Sequence, residues 1–299
     1  FILDSIGYMA DTQLFVELHP YLPVGISFYT FMAIAYLVDV YKNSNNRASL
    51  LEFSTFLSLF PHLVAGPIVR FQEISQELRK ENSLTVDNFY QGIVRFTIGL
   101  GMKVLIADNL APVVDKIFAL DTNTLTTPVA WLGAFAYTFQ IYFDFAGYSA
   151  MAIGLALMFG FHFPENFNRP YLANSITEFW RRWHISLSKW FRDYVYIPLG
   201  GNQKGAIRTY VNLLIVFIIT GLWHGAALTF IIWGLYYGIL LVIEKIIKTY
   251  YDKNIPKIIG IGITFFLVLL GWVIFRSESI EPVSLYTSPS PRDRTRSRM

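Results

Sequence analysis

Apolar residues along this chain fall into long blocks separated by short polar loops. Leu22 to Val40 is apolar, opens near Pro23 and closes on Asp39-Val-Tyr41, and reads as a first span. The loop "YKNSNNRAS" after it is polar and basic. Leu50 to Val69 is apolar again but carries Pro61, Gly66 and Pro67. It predicts a broken or re-entrant helix, because freed backbone groups at membrane depth must be covered by protein. "RFQEISQELRKEN" predicts a charged surface helix, and Phe89 to Ile106 a span with Arg95 and Lys103 near its ends. Pro128 to Phe161 would measure about 50 Å as one helix. A hydrocarbon core is about 30 Å thick, so a break is expected near Asp144–Gly147. Tyr210 to Ile243 raises the same conflict, and its glycines place the break at Gly221–Gly225. Ile258 to Phe275 is the last span. The pattern predicts an all-α fold, a polytopic transmembrane helical bundle of roughly seven segments with re-entrant or interfacial helices.

The periodicity changes between the two long blocks. "NSITEFWRRWHISLSKWFRDYVYIPLGGNQKG" opens on Ser175-Ile-Thr-Glu178, a capping-box pattern that starts a helix. At 100° per residue, Ile176, Phe179, Trp180, Trp183, Leu187, Trp190, Phe191 and Tyr194 share one face. Arg181, Arg182, Lys189 and Arg192 share the other. The segment predicts one amphipathic helix lying in the interface, its cationic face toward phosphate headgroups or a polyanionic ligand. His184 and Ser188 fall on the border, and Pro198 with Gly200-Gly201 ends the helix.

Composition agrees with a membrane protein. Of 299 residues, 54% are hydrophobic and 15% charged, where a soluble domain averages about a quarter charged. The mean hydropathy is +0.43. Aromatic residues reach 17%, and many Trp and Tyr sit at the ends of apolar runs, as interfacial anchors do. The absence of cysteine excludes disulfides, thiolate catalysis and Cys-based metal sites. The net charge of +3 lies in loops between apolar runs, which fits membrane topology rather than nucleic-acid binding. A domain is expected over 1–287, truncated at both ends. Residues 288–299, "SPSPRDRTRSRM", are expected to form a disordered or non-native tail.

Five histidines are present. His19, His62 and His162 lie beside or near prolines and read as structural. His184 and His224 each follow a tryptophan. His224 lies deep in an apolar block, where an ionisable group suggests a functional site by default. The plainer alternative is an imidazole bonded to a backbone carbonyl at a helix break. Gly221 and Gly225 admit either close helix packing or a substrate. Asp144 is the second intramembrane polar outlier: it either orients an imidazole or forms an ion pair with an Arg of another helix. Tyr142 and Tyr148 would then be pocket walls or ordinary packing. No metal site is expected, since no HExxH pattern and no carboxylate at ligand spacing accompany the histidines. Nor is there a Gly-x-Ser-x-Gly elbow.

Five stretches in order carry a resemblance: "PVGISFYTFMAIAYLVDVY", "LFPHLVAGPIVRF", "YFDFAGYSAMAIGLALMFGFHFPENFNRPY", "EFWRRWHISLSKWFRDYVYIPLGG" and "GLWHGAALTFIIWG". Together they resemble the membrane-bound O-acyltransferase (MBOAT) superfamily, in its bacterial alginate O-acetyltransferase branch. The D-alanyl transferase branch of teichoic acid modification shares the WH-x-S-L-S and FRDY elements. The resemblance implies a helical domain with a tunnel between the two membrane faces, in a multi-pass protein of the bacterial inner membrane. It implies acetyl-CoA as acyl donor with no bound cofactor, an exported polysaccharide as destination, and a separate periplasmic or surface O-acetyltransferase partner. The superfamily's invariant histidine falls on His224 and its second polar position on His184. His224 is then the general base toward a hydroxyl attacking the thioester, and burial keeps the imidazole neutral. His184, Trp223, Trp183, Asp144, Tyr148 and Ser188 would line the tunnel. Arg181, Arg182, Lys189 and Arg192 would receive either the donor's phosphates or lipid headgroups. The competing classes are a transporter or channel, whose broken segments also hold polar residues, and a scaffold whose histidine only packs.

Overall fold

The computed structural model describes residues 25–43, 47–64, 66–79, 84–121, 124–250 and 256–277, and every regular element among them is helical. α1 (Ile26–Lys42) is 17 residues long. α2 (Leu50–Ser58) starts on a capping box, Ser49 and Glu52 each bonding the other's backbone N–H. A 3₁₀ turn at Phe60–His62 and extended chain follow, so this block is broken where its prolines and glycine predict. α3 (Phe71–Arg79) is the expected surface helix, and its Arg79 pairs with Glu52 at 2.9 Å.

Two expectations about long helices are corrected. α4 (Val86–Gly101) does not end at Ile106. It passes through a π turn at Met102–Ala107 into α5 (Asp108–Phe118), a continuous 33 residues. Lys103, which marked an end in the sequence, is instead paired in mid-helix with Asp108 and with Asp144. α6 (Thr127–Met158) has no break at Asp144–Gly147 and runs 32 residues. Its glycines serve packing. A Cβ at Gly147 would lie 2.8 Å from the Gly99 carbonyl oxygen, and one at Gly154 would lie 2.7 Å from that of Gly92. The backbones of α4 and α6 touch because both lack side chains there.

The amphipathic segment is also corrected. It forms two helices, α7 (Ile176–Arg182) and α8 (Ile185–Phe191), broken at Trp183–His184 and followed by a π turn at Arg192–Tyr196. Its apolar face does not lie on lipid: Phe179, Trp180, Trp183, Leu187, Trp190 and Phe191 are all buried among other helices. α9 (Ala206–His224) and α10 (Leu228–Tyr250) fold back as a hairpin, with the break at Gly225–Ala227, just past the predicted position. A Cβ at Gly221 would lie 2.2 Å from the Phe230 carbonyl oxygen, and one at Gly234 would lie 2.3 Å from that of Phe217. α11 (Lys257–Arg276) closes the described chain.

Five of these helices are long and apolar enough to cross a membrane: Val86–Phe118, α6, α9, α10 and α11. Among the described residues the count is five rather than roughly seven, since α1 has 17 residues and the second block is broken. Leu105, Leu132, Ile207 and Ile258 point outward from them, as side chains in contact with hydrocarbon do. The protein is a multi-pass helical membrane bundle. One buried cluster joins α1, α2, α3 and α8 around Phe31, Phe56 and Trp190. Another joins α7, α10 and α11 around Phe179, Trp233 and Trp272. His19 and the 288–299 tail lie outside the described residues.

Candidate functional site

His184 sits in the break between α7 and α8, with φ 42° and ψ 55°. A non-glycine residue in this left-handed region costs about 1–3 kcal/mol and persists only where its surroundings over-determine it. Asn166 does this. Its backbone carbonyl accepts from Ile185 N at 3.0 Å, and its Oδ1 accepts from Ser186 N at 3.2 Å and Ser186 Oγ at 2.9 Å. Its Nδ2 donates to Ser149 Oγ on α6 at 3.0 Å. Ser186 Oγ in turn accepts from Ile68 N at 3.0 Å. Ile68, Asn166 and, through Asn166, Ser149 therefore converge on Ser186, two residues after His184.

The His184 ring is buried, edge-on to Phe145 at 4.6 Å between centroids. Its Nε2 has no hydrogen-bond partner among the described residues. Burial pushes its pKa down to about 3, with a smaller push from His224, so the ring is neutral.

His224 is the last residue of α9, where Gly225 leaves the helix. Its ring lies 4.6 Å from Trp223, 5.2 Å from Trp233 and 5.0 Å from Phe275, with Phe230 at 6.3 Å. Helices α9, α10 and α11 thus supply an aromatic box. No described residue hydrogen-bonds the ring, so the carbonyl-bonded alternative is absent from this structure. Trp223 stands between the two imidazoles, 6.4 Å from His184. The indole nitrogens of Trp180, Trp223 and Trp233 are buried without partners. Buried polar groups are nearly always satisfied, so several donors concentrated here suit a ligand rich in acceptors.

A cavity of about 590 Å³ opens beside this cluster, between α7–α8 and the α9–α10 hairpin. Trp180, Leu187, Phe191, Val216, Phe217 and Thr220 make its apolar wall. Arg181, Lys189 and Arg192 line it together with Lys245 and Lys248, and Glu244 is its one acid.

The structure therefore gathers some predicted residues and separates others. His184, Trp223 and His224 come together. Trp183 is buried beside Trp272, 4.7 Å away, and packs in the layer behind His184. Ser188 lines the cavity and donates its N–H to the His184 carbonyl at 3.0 Å. Arg182 turns away to Glu178 and the Arg169 carbonyl, while Arg192 lines the cavity but is held by Asp193. Asp144 pairs with Lys103 at 2.9 Å, a lysine rather than the expected arginine, and orients no imidazole. Phe145, the next residue round the helix, is the one that meets His184. Tyr148 lies on the Asp144 side and bonds neither histidine. His62 is structural: buried, it bonds the Phe56 carbonyl at 2.9 Å through Nε2 and stacks on Phe163.

Asn166, Lys245 and Lys248 were missed by sequence reasoning. Asn166 reads as one polar residue in a loop, and its role shows only in its partners. The lysines belong to the Lys/Arg-rich end of α10, which the hairpin brings back to the cavity.

Apolar helices bring His184 and His224 together, with a cation-lined cavity alongside, in a multi-pass membrane bundle. The model of the membrane-bound O-acyltransferase family matches residues 12–280, and the chain belongs to that family. A probable alginate O-acetylase AlgI of Pseudomonas fluorescens is 50% identical over 283 residues, covering 93% of this chain and 57% of that protein. A peptidoglycan O-acetyltransferase of Helicobacter pylori is 42% identical, covering 89% and 56%. A teichoic acid D-alanyltransferase of Bacillus subtilis is 31% identical, covering 85% and 69%. The chain thus spans little more than half the length of its alginate and peptidoglycan relatives.

Proposed function

We propose that this chain is the membrane core of an O-acetyltransferase of the bacterial inner membrane. It takes an acetyl group from cytoplasmic acetyl-CoA and passes it toward hydroxyls of an exported polysaccharide, through a periplasmic or surface partner. The observation that carries the proposal is the cavity, an apolar wall lined by five cations, with the histidines beyond it. Lys245, Lys248 and Arg192 lie near the open ends of the hairpin, and Thr220 lines the far wall. The lining residues of α9 run from Leu213 to Thr220, about 10 Å at 1.5 Å per residue. His224 follows one turn later. A donor with phosphates at one end and a thioester at the other fits this polarity.

The chemistry follows from the imidazole. The acceptor oxygen attacks the thioester carbonyl while neutral His224 takes the hydroxyl proton. The tetrahedral intermediate collapses to the ester, the carbon–sulfur bond breaks, and the imidazolium returns its proton to the thiolate. A positioned base contributes about 10²–10⁴ in rate. The aromatic box excludes water that would otherwise hydrolyse the thioester. His184, whose Nε2 has no partner among the described residues, would serve as a donor to the oxyanion or an acceptor for the incoming hydroxyl.

The 31% identity to a teichoic acid D-alanyltransferase supports a second reading, transfer of D-alanine. The test uses the intact parent protein in membranes with its partner. Wild type and His224→Ala are compared for acetyl ester on exported polysaccharide, with membrane protein level measured in parallel. Normal abundance with acetylation gone supports the proposal, and normal acetylation refutes the base role. Labelled D-alanine in place of acetyl separates the two donors.

A further inference from the structure

A tryptophan stands in the cavity wall on the side of His224. Trp180 lines it, yet the residue is 9% exposed. Its ring packs edge-on against Phe217 at 5.1 Å, Trp233 at 5.8 Å and Tyr237 at 4.9 Å. Trp233 lies outside the cavity wall and sits 5.2 Å from His224. The order from open space to imidazole is therefore cavity, Trp180, Trp233, His224. On the α9 side, Thr220 is the last lining residue before His224, and its hydroxyl is bonded back to Val216 of its own helix at 2.8 Å.

We infer that Trp180 sets the length of the acyl group that the enzyme transfers, a reading that rests on the cavity holding the thioester donor. A two-carbon acyl group placed at Thr220 presents its carbonyl one turn from the imidazole. Each further methylene needs volume that the Trp180 indole fills. That indole cannot yield, because three aromatic rings support it and close-packed interiors resist displacement. Even an open apolar pocket discriminates by about 10–200-fold per methylene, and a rigid wall rejects more strongly.

The test again uses the intact protein with its partner in membranes. Transfer is measured per molecule from acetyl-, propionyl-, butyryl- and hexanoyl-CoA, for wild type, Trp180→Ala and Phe217→Ala. Wild type is expected to prefer acetyl over butyryl by more than about tenfold. Trp180→Ala is expected to raise the butyryl-to-acetyl ratio at least about tenfold, by the same scale. Phe217→Ala, which removes a neighbouring ring of the same wall that supports the indole, raises it less. A ratio is informative because a loss of stability lowers both activities together. Should Trp180→Ala not accumulate, Phe217→Ala decides. An unchanged ratio in the variants that accumulate overturns the inference while leaving acetyl transfer intact, as does a wild type that uses hexanoyl-CoA as well as acetyl-CoA. A wild type that transfers nothing from any acyl-CoA overturns the donor reading itself.

Discussion

The left-handed backbone at His184 and the side chain of Asn166 are one arrangement. Asn166→Ala removes the acceptor of Ser186 and the donor to Ser149. Buried groups left unpaired cost about 1–3 kcal/mol each, so a clear fall in thermal midpoint is expected in detergent. His184→Gly relieves the strained φ and deletes the ring. It should accumulate at least as well as His184→Ala while remaining as inactive, and matched blots and acetylation assays check this. Protonation acts at this scale too. Burial holds His62 at about 4 and His184 at about 3, against an ordinary 6.5. Above pH 6.5 both rings are neutral, folded or unfolded. As pH falls from 6.5 toward 4, the unfolded chain takes up protons that the native state excludes, so stability falls with acidification. His62→Gln should flatten that decline in melting curves taken across this window. His184 and His224, which the structure brings to either side of Trp223, stand out in the sequence because each follows a tryptophan in a distinctive setting. Asn166 was not, since a polar loop residue carries no periodic signal. Asp144 was conspicuous as a charge, but its partner Lys103 lies on another helix that only packing reveals.

Glycine has two meanings in the helices, and the sequence alone does not separate them. Gly225 marks a real end of α9, whereas Gly221 inside α9 and Gly147 inside an uninterrupted α6 each face the backbone of another helix. What distinguishes them is the opposing surface: Gly147 and Gly154 face the backbone of α4, so their missing side chains bring two helices together. Gly154→Ala would place its Cβ 2.7 Å from the Gly92 carbonyl oxygen and from Phe96 N. Neither atom belongs to a side chain that can swing away, and overpacking of this kind costs about 1–3 kcal/mol. Gly262→Ala, with nothing within 4 Å of its Cβ, should be neutral or stabilising. Parallel melting curves of the two variants would test the distinction, and equal destabilisation would refute it. The break at Trp183–His184 escaped a periodic reading for a related reason. A helical wheel assumes continuous winding, and a single left-handed residue re-aims everything after it. Arg182 consequently lost its expected place with Arg181, Lys189 and Arg192.

Across the whole molecule, the hairpin settles how the basic stretches relate. Lys245 donates to Asn202 at 2.8 Å, so the start of α9 and the far part of α10 lie at the same end of the bundle. The sequence had left this open between a hairpin and a single tilted span. The chain has no cysteine, so introduced thiols label without background. Gln203→Cys and Lys248→Cys should react from one side of sealed vesicles and Leu228→Cys from the other. Labelling of Gln203→Cys and Lys248→Cys from opposite sides would contradict the fold.

The aromatic box around His224 also has an order in time. Asn166, His184 and His224 all leave the ribosome before Phe275, whose ring lies against His224 on the last described helix. A nascent chain therefore carries both imidazoles while their enclosure still lacks a wall. Enclosure waits on the end of α11, so a polypeptide released early would expose its histidines to water. The ring contact that closes over His224 forms only once synthesis has passed the last described helix.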